Sequence, residues 1–410
     1  MTPRERVLAA INHNEPDRVP VDLGSMRSSG ISAVAYHNLN KHLKCENGRT
    51  RIFDTVQELA MPEDHILDLF GIDSLPLGRA FKMDDDYWYE FDLTPEIKAF
   101  YPNWFRPKKT GEQSWEVYQD NLMIARKPNG ASFFDGTYYP YVDGYPDNFD
   151  DLDAAMKTSL WAAMPAAPWN FPDTPEFWKD LRTKALEFRK STDKALMISA
   201  GCNLFEWGTF LRRLDNFLMD VYADPYNVEK LLDALMIRHM DKLEKICTAV
   251  GDVVDIVTFG DDLGMDSGPF MAPEIYRKIF KPAHSRLCEY AHKNSNMHTF
   301  LHSCGSIYQL MPDLIEAGFE IFNPVQTNSY QMEPERLKKE FGKDITFWGG
   351  GIDTRTVLNN GTPQEVKDQV KRRVDVFAPG GGFVFNTVHN ILPDVPPENI
   401  VAMFEAVNGE

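Results

Sequence analysis

The chain has 410 residues, 43% of them apolar and 25% charged, which suits a globular protein with a large core and allows one large domain or two of ordinary size. A formal net charge of −18, with no run of lysine or arginine, repels phosphate backbones and anionic lipid, so neither nucleic acid nor membrane is an expected partner. No stretch has the length of a membrane span, the N-terminus lacks an apolar signal segment, and five scattered cysteines without a CxxC pair build no disulfide framework; a cytoplasmic setting is expected.

Thr2-x-x-Glu5 is a capping box that opens a helix through about Ile11, ended before Asn14-Glu15-Pro16. Arg18 to Leu23 reads as a first strand, closed by Gly24, and helices are expected near Ile31–Leu43 and Asp54–Leu69. Residues 72–77 read as a second strand, with Pro76 at its end or on an edge. Residues 80 to about 175 are rich in Tyr, Trp, Pro, Asp and Asn, and the runs Tyr87–Phe91 and Trp115–Arg126 predict hairpins. This stretch is expected to be an insertion carried on the main fold, the alternative being a small independent β-domain.

From residue 176 the rhythm becomes regular. Strands are predicted at 195–200, 253–259, 298–302, 319–323, 345–348 and 382–386, with helices at Pro273–Asn294, Ile307–Ala317 and Pro363–Phe377, the last stopped by Pro379-Gly380-Gly381-Gly382. Strands alternating with helices predict parallel βαβ units. The six plus the two earlier ones make eight, the closing number of a (β/α)₈ TIM barrel, so the α/β class and one barrel over 1–410 are expected. The competitor, a doubly wound open sheet, lacks a GxGxxG after any strand.

In a barrel the chemistry lies on the loops that follow the strands. Those loops carry Ser25-Met26-Arg27, Gly201-Cys202-Asn203 with Glu206-Trp207, Asp261-Asp262, His302-Ser303-Cys304-Gly305, Asn323-Pro324-Val325-Gln326, Gly349-Gly350-Gly351-Ile352-Asp353, and Asn386 with His389-Asn390. Two positions apart at a strand end, His302 and Cys304 leave on one face, and imidazole with thiolate is a preferred donor set for Zn²⁺. The competing reading is a buried histidine beside an inert core thiol. His389 is the first choice for a third ligand, with Asp262 and Cys202 behind it. Asp261-Asp262 could equally be a helix cap or an ion pair, and Cys202 a packing residue. Cys45, Cys247 and Cys288 fall in helical patterns and read as core. Gly349-Gly350-Gly351 could cradle an anion, but Asp353 follows and a tight turn fits better. The aromatics between Tyr87 and Tyr145 suit either a flat ligand pocket or the insertion's own core.

Several of these motifs are similar to those of the uroporphyrinogen decarboxylase superfamily: Arg4-Glu5-Arg6-Val7-Leu8-Ala9-Ala10, Pro16-Asp17-Arg18-Val19-Pro20-Val21-Asp22, His302-Ser-Cys-Gly-Ser-Ile, Asn323-Pro-Val-Gln326, the Gly349–Asp353 loop and Pro396-Pro397-Glu398-Asn399-Ile400. The resemblance implies the (β/α)₈ barrel. True decarboxylases of that superfamily carry Met-Arg-Gln-Ala-Gly-Arg, whose two arginines bind carboxylates. Here Met26-Arg27-Ser28-Ser29-Gly30-Ile31 keeps the first arginine and has isoleucine for the second, so a porphyrinogen substrate is not expected. The cobamide-dependent methyltransferase branch holds zinc through His-x-Cys and a later cysteine, whose place falls on His389 in this chain.

What that branch implies is a zinc enzyme moving a methyl group from a small methylated substrate, with a methoxylated aromatic suggested by the insertion, to the cobalt of a corrinoid protein. His302, Cys304 and His389 would hold the metal, and Asp262, as fourth ligand or proton donor, and Glu206 would be catalytic. Arg27, Asn203, Trp207, Gln326 and Asp353 would bind substrate. The expected partners are the corrinoid protein and the methyl donor, with a homodimer left open. The alternatives are a metal-assisted decarboxylase or hydrolase of a small acid, in which Arg27 binds the carboxylate, and a non-catalytic barrel that binds a corrinoid or tetrapyrrole carrier.

Overall fold

The computed structural model describes residues 1–45, 48–81 and 84–409. A seven-stranded, all-parallel sheet curls at its centre: β1 (Ser74–Pro76), β2 (Ala195–Gly201), β3 (Ile256–Gly260), β4 (His298–His302), β5 (Ile321–Asn323), β6 (Thr346–Trp348) and β7 (Phe383–Val384). Each strand pairs with the next in sequence. Parallel neighbours require crossovers, and helices supply most of them. The expected strand Arg18–Leu23 shrinks to an isolated bridge, yet residues 20–22 are hydrogen-bonded to both edges of this sheet. Val21 bridges Phe385 in parallel, Phe385 N–H donates to Pro20 O at 2.8 Å, and Asp73 N–H donates to Val21 O at 2.8 Å.

Ion pairs fix the start of the chain against that edge. The buried Asp73 carboxylate takes Arg6 and Arg18, each at 2.7 Å, and Arg6 also grips Asp17. Helix α1 (Pro3–Ile11) begins as its capping box dictates, with Glu5 N–H donating to Thr2 Oγ1 and Thr2 N–H to the Glu5 carboxylate.

The two faces of the curled sheet bury different partners. Alternate residues Met197, Ile256, Phe300, Ile321, Trp348 and Val384 form an inner cluster, plugged from below by Val7, Ala10 and Ile11 of α1. Their neighbours Ile198, Val257, Leu301, Phe322, Phe347 and Phe383 face outward into the main core shared with the helices. Two residues beyond four of these six inner positions, the same parity continues as Thr258, His302, Asn323 and Asn386. The inner face therefore turns from apolar to polar at the C-terminal ends of the strands.

The stretch after β1 contains the two expected hairpins, Trp88–Asp92 with Lys98–Pro102 and Trp115–Gln119 with Leu122–Lys127. They have their own core, including Tyr101, Phe105, Trp115 and Phe134. A buried ion pair, Lys127 with Glu58, and a Tyr101 hydroxyl donating to the same carboxylate at 2.5 Å tie them to the body.

Some helix limits differ from the sequence reading. Only Asp64–Leu69 of the expected Asp54–Leu69 helix forms; Ile52–Asp54 and Leu59–Ala60 pair as antiparallel strands instead. Pro62, which lacks an N–H and restricts its predecessor, keeps a helix from running through. Pro273–Asn294 is two helices broken at Phe280, where the ring of Pro282 would clash with a continuous turn. Ile307–Ala317 shortens to Met311–Glu316 with Pro312 in its first turn, and Cys45 lies past the helix Ala33–His42.

Candidate functional site

His302 is the last residue of β4 and continues the inward parity of Phe300, so its ring enters the mouth above the apolar plug. Its register partner on β5 is Asn323, whose amide oxygen lies 2.7 Å from His302 Nδ1. The other ring nitrogen, Nε2, lies 3.5 Å from Cys304 Sγ and 3.6 Å from an Asp262 carboxylate oxygen. Cys304 N–H donates to that same oxygen at 2.8 Å, which turns the loop back over the strand end. Gly305, at φ 78°, lets the loop lie on the backbone of Gly264; a Cβ there would come within 2.3 Å of it.

His389 arrives from the loop after β7, with a backbone φ of 67° that non-glycine residues seldom adopt. Its ring meets the His302 ring edge to face at 5.5 Å. One ligand atom from each of His302, Cys304 and His389 can be chosen so that all lie within 4.8 Å of one another. Zinc bonds of about 2.0–2.3 Å place tetrahedral ligand atoms roughly 3.3–3.8 Å apart. The His302–Cys304 separation already has that value, and His389 needs only a small approach. The donor set fits a divalent metal of borderline softness.

Burial pushes the Cys304 thiol well above its usual range, and the Asp262 and Glu206 carboxylates push it the same way. Burial, with His302 nearby, lowers His389 to about 4. A neutral imidazole is the form that binds metal, whereas the thiol must release its proton when metal enters.

The adjacent aspartates do different work. Asp261 is fully buried, and its carboxylate accepts from the N–H groups of Phe205 and Glu206 at 3.0 and 2.9 Å, so it caps the helix α2 (Phe205–Arg212). It also meets His284 Nε2 at 3.2 Å, while His284 Nδ1 faces the Tyr276 hydroxyl. Asp262 instead faces His302 and Cys304. Glu206, on the first turn of α2, accepts from Asn203 Nδ2 at 2.5 Å. Burial, followed by Asp262 and Asp261, raises Glu206 well above the ordinary carboxylate range, which favours its protonated form.

The other expected residues have partners of their own. Arg27 is ion-paired to the buried Asp54 at 2.5 Å and its guanidinium lies 5.0 Å from the Trp161 ring of the insertion. Gln326 accepts from Gly305 N–H at 2.9 Å and donates to Asp266, so both ends of its amide brace the loops around Cys304. Asp353 accepts from the N–H groups of Arg355 and Thr356 and from the Thr356 hydroxyl, capping its own turn. Trp207 lies half-buried against the main core, with its ring 5.7 Å from Phe210. Cys202 is buried, its thiol raised to about 12 by burial, and packs within the core. Asn203 also accepts on its carbonyl from His239 Nε2.

Asn323 is placed by the sequence at a strand end but is given no role there. A signal for it exists: it continues the inward parity of Ile321 at a strand end, directly beside His302.

Among solved structures, a methyltransferase from Methanosarcina mazei matches with a TM-score of 0.57 over 100% of this chain and 98% of that chain, at 16% identity, a likeness of fold alone. The uroporphyrinogen decarboxylase of Geobacter metallireducens is 25% identical over 205 residues, 50% of this chain and 53% of that protein. That of Geobacter sulfurreducens is 26% identical over 190 residues, 46% of this chain and 51% of its own. The matched stretch thus spans about half the length of these curated relatives. The model for the Uroporphyrinogen decarboxylase (URO-D) family matches residues 205–409, half of the chain and the part that carries Glu206, Asp262, His302, Cys304 and His389, and the chain belongs to that family.

Proposed function

We propose that this chain is a zinc-dependent methyltransferase that moves a methyl group from a small methylated substrate, a methoxylated aromatic in the favoured case, to the cobalt of a corrinoid protein. The observation that carries the proposal is the convergence of His302, Cys304 and His389 within 4.8 Å at the polar end of the sheet. Residues 20–22, bonded to both sheet edges, support the reading of a closed (β/α)₈ barrel over 1–410 with an insertion at about 80–175. The full-length likeness of fold to the Methanosarcina mazei methyltransferase supports the same branch. Among the described residues no helix is long and apolar enough to cross a membrane.

Zinc held by His302 Nε2, Cys304 Sγ and His389 would supply a Lewis acid for the heteroatom that carries the methyl group. A reduced corrinoid would supply the electron pair for the methyl carbon, and the heteroatom, which would keep the pair of the broken carbon–heteroatom bond, would need a proton. Glu206, whose carboxyl is pushed toward its protonated form by burial and by Asp262, is the proton source. Asp262 keeps Cys304 turned into the mouth through its backbone N–H. Asn203, by its bond to Glu206, aims that carboxyl.

The decarboxylase alternative needs a free cation for the substrate's acid group, and Arg27 is already neutralised by Asp54 and covered by Trp161. Two measurements test the proposal. Metal analysis should find about one zinc per chain, lost in Cys304→Ser. Mixing the protein with reduced corrinoid protein and candidate donors should give the visible spectrum of methylated cobalt with one donor class. Protein without zinc, or turnover of a small acid with no corrinoid present, would overturn it.

A further inference from the structure

We infer that Asn323 is a positioning residue: it locks His302 in the tautomer that carries its proton on Nδ1 and leaves the Nε2 lone pair for the metal. The inference rests on the metal-site reading above and extends it to a residue outside the ligand set. Asn323 is 1% exposed, so solvent cannot stand in for any of its partners. Its Nδ2 donates to the carbonyl of Trp348 at 2.8 Å, and a carbonyl can only accept. The amide is thereby oriented with Oδ1 toward β4, where it sits 2.7 Å from His302 Nδ1 and accepts from Ser28 Oγ at 2.8 Å. Turning the amide over would leave the Trp348 carbonyl facing another oxygen in a buried site.

An amide oxygen facing Nδ1 requires a proton there. On a neutral ring that proton is the only one, and Nε2 is left bare, pointing toward Cys304 Sγ and Asp262. The lock is built from three consecutive strand ends, since His302, Asn323 and Trp348 close β4, β5 and β6. Ser28, from the stretch after residues 20–22, joins it across the mouth. Histidine ligands elsewhere are oriented by such a partner, and its loss weakens metal binding about 10–100-fold.

The test is long-range proton–nitrogen NMR of histidine-labelled, metal-free protein, together with cobalt(II) affinity measured against a competing chelator. The wild-type His302 should carry its proton on Nδ1. Asn323→Leu should lose that preference and bind cobalt(II) about 10–100-fold more weakly, with thermal melting used to verify that it folds. Ser28→Ala removes only the second donor and should keep the tautomer. A His302 protonated on Nε2 in the metal-free wild type overturns the inference, whatever becomes of the variant. Unchanged cobalt(II) affinity in folded Asn323→Leu overturns it too. An Nδ1–H tautomer in a protein that takes up no metal would sink the metal reading and leave the lock standing.

Discussion

The mouth of the sheet has a corner at β4 and β5 braced by side-chain hydrogen bonds, and a corner after β7 in which such bonds are fewer. His302 has Asn323 behind one ring nitrogen, Cys304 and Asp262 before the other, and Gln326 bracing the loop that follows. His389 sits in a loop at positive φ, and its ring has no hydrogen bond among the described residues. Nearby, Ser25 Oγ and Asn386 Oδ1 are buried without a hydrogen-bond partner. Two ligands are thus oriented through hydrogen bonds to Asn323 and Asp262, while the third is placed only by the backbone of its loop, where Thr387 and Thr354 donate to the carbonyls of His389 and Val388.

That asymmetry can be broken most directly at the ligands. Cys304→Ser removes a thiolate from the corner at β4 and β5 and should weaken zinc binding on the order of a thousandfold, about 4 kcal/mol. His389→Ala should cost less, because no side-chain hydrogen bond orients that ring toward the metal in advance, as Asn323 does for His302. Chelator competition on both variants decides it. Equal losses would mean that the two corners are equally preorganised.

The neighbouring aspartates sharpen the same contrast within one corner. Asp261→Ala strips the cap from α2 and leaves His284 buried without its carboxylate, so stability should fall by about 3 kcal/mol. Asp262→Ala loses its contacts with the N–H and thiol of Cys304 and with the metal-facing ring, and should cost stability about 1 kcal/mol or less while weakening metal binding. Denaturant unfolding of chelated protein separates the two. A large stability loss in Asp262→Ala would make it a structural residue like its neighbour.

Much of this contrast is legible in the amino-acid sequence. Each predicted strand from 195 onward is present, because short apolar runs between capped helices admit few other arrangements. His302, Cys304 and His389 can be named because they follow strands, and strand ends converge in this architecture. The pairing of each polar residue is not legible. Arg27, Gln326 and Asp353 occupy mouth loops in sequence, yet their partners Asp54, Asp266 and Thr356 are set by loop geometry that periodicity does not encode. Asp261 and Asp262 are chemically identical, and only the position of α2 distinguishes the cap from the site residue.

Glu206 gives a pH-dependent version of the comparison. Its carboxyl titrates higher in the folded chain than in the unfolded one, where a value near 4.3 applies. Below that unfolded value both states are protonated and nothing is lost. As pH rises above it, the unfolded chain ionises first, and the folded state loses stability until its own pKa is passed. Glu206→Gln keeps an acceptor for Asn203 and cannot ionise. Its melting temperature, measured without metal, should therefore gain on the wild type by a few degrees between pH 4 and neutrality. A gap that does not change with pH would show that Glu206 is ionised in the folded protein, and the proton source would have to be sought elsewhere.

The smallest expected effect tests the corner after β7 itself. An imidazole at φ 67° is held in a left-handed conformation that costs a β-carbon roughly 1 kcal/mol or more, and asparagine tolerates it better. His389→Asn should therefore stabilise the metal-free protein by up to about 1 kcal/mol while weakening zinc binding. In zinc-saturated protein the order should reverse, because the wild type then gains the binding energy that the variant gives up. Unfolding curves of both proteins, with chelator and with excess zinc, contain the whole comparison. If the variant is the less stable protein in both conditions, the ring of His389 contributes packing that outweighs its backbone strain. The third ligand would then be as firmly built into the fold as His302, and the contrast between the two corners would disappear.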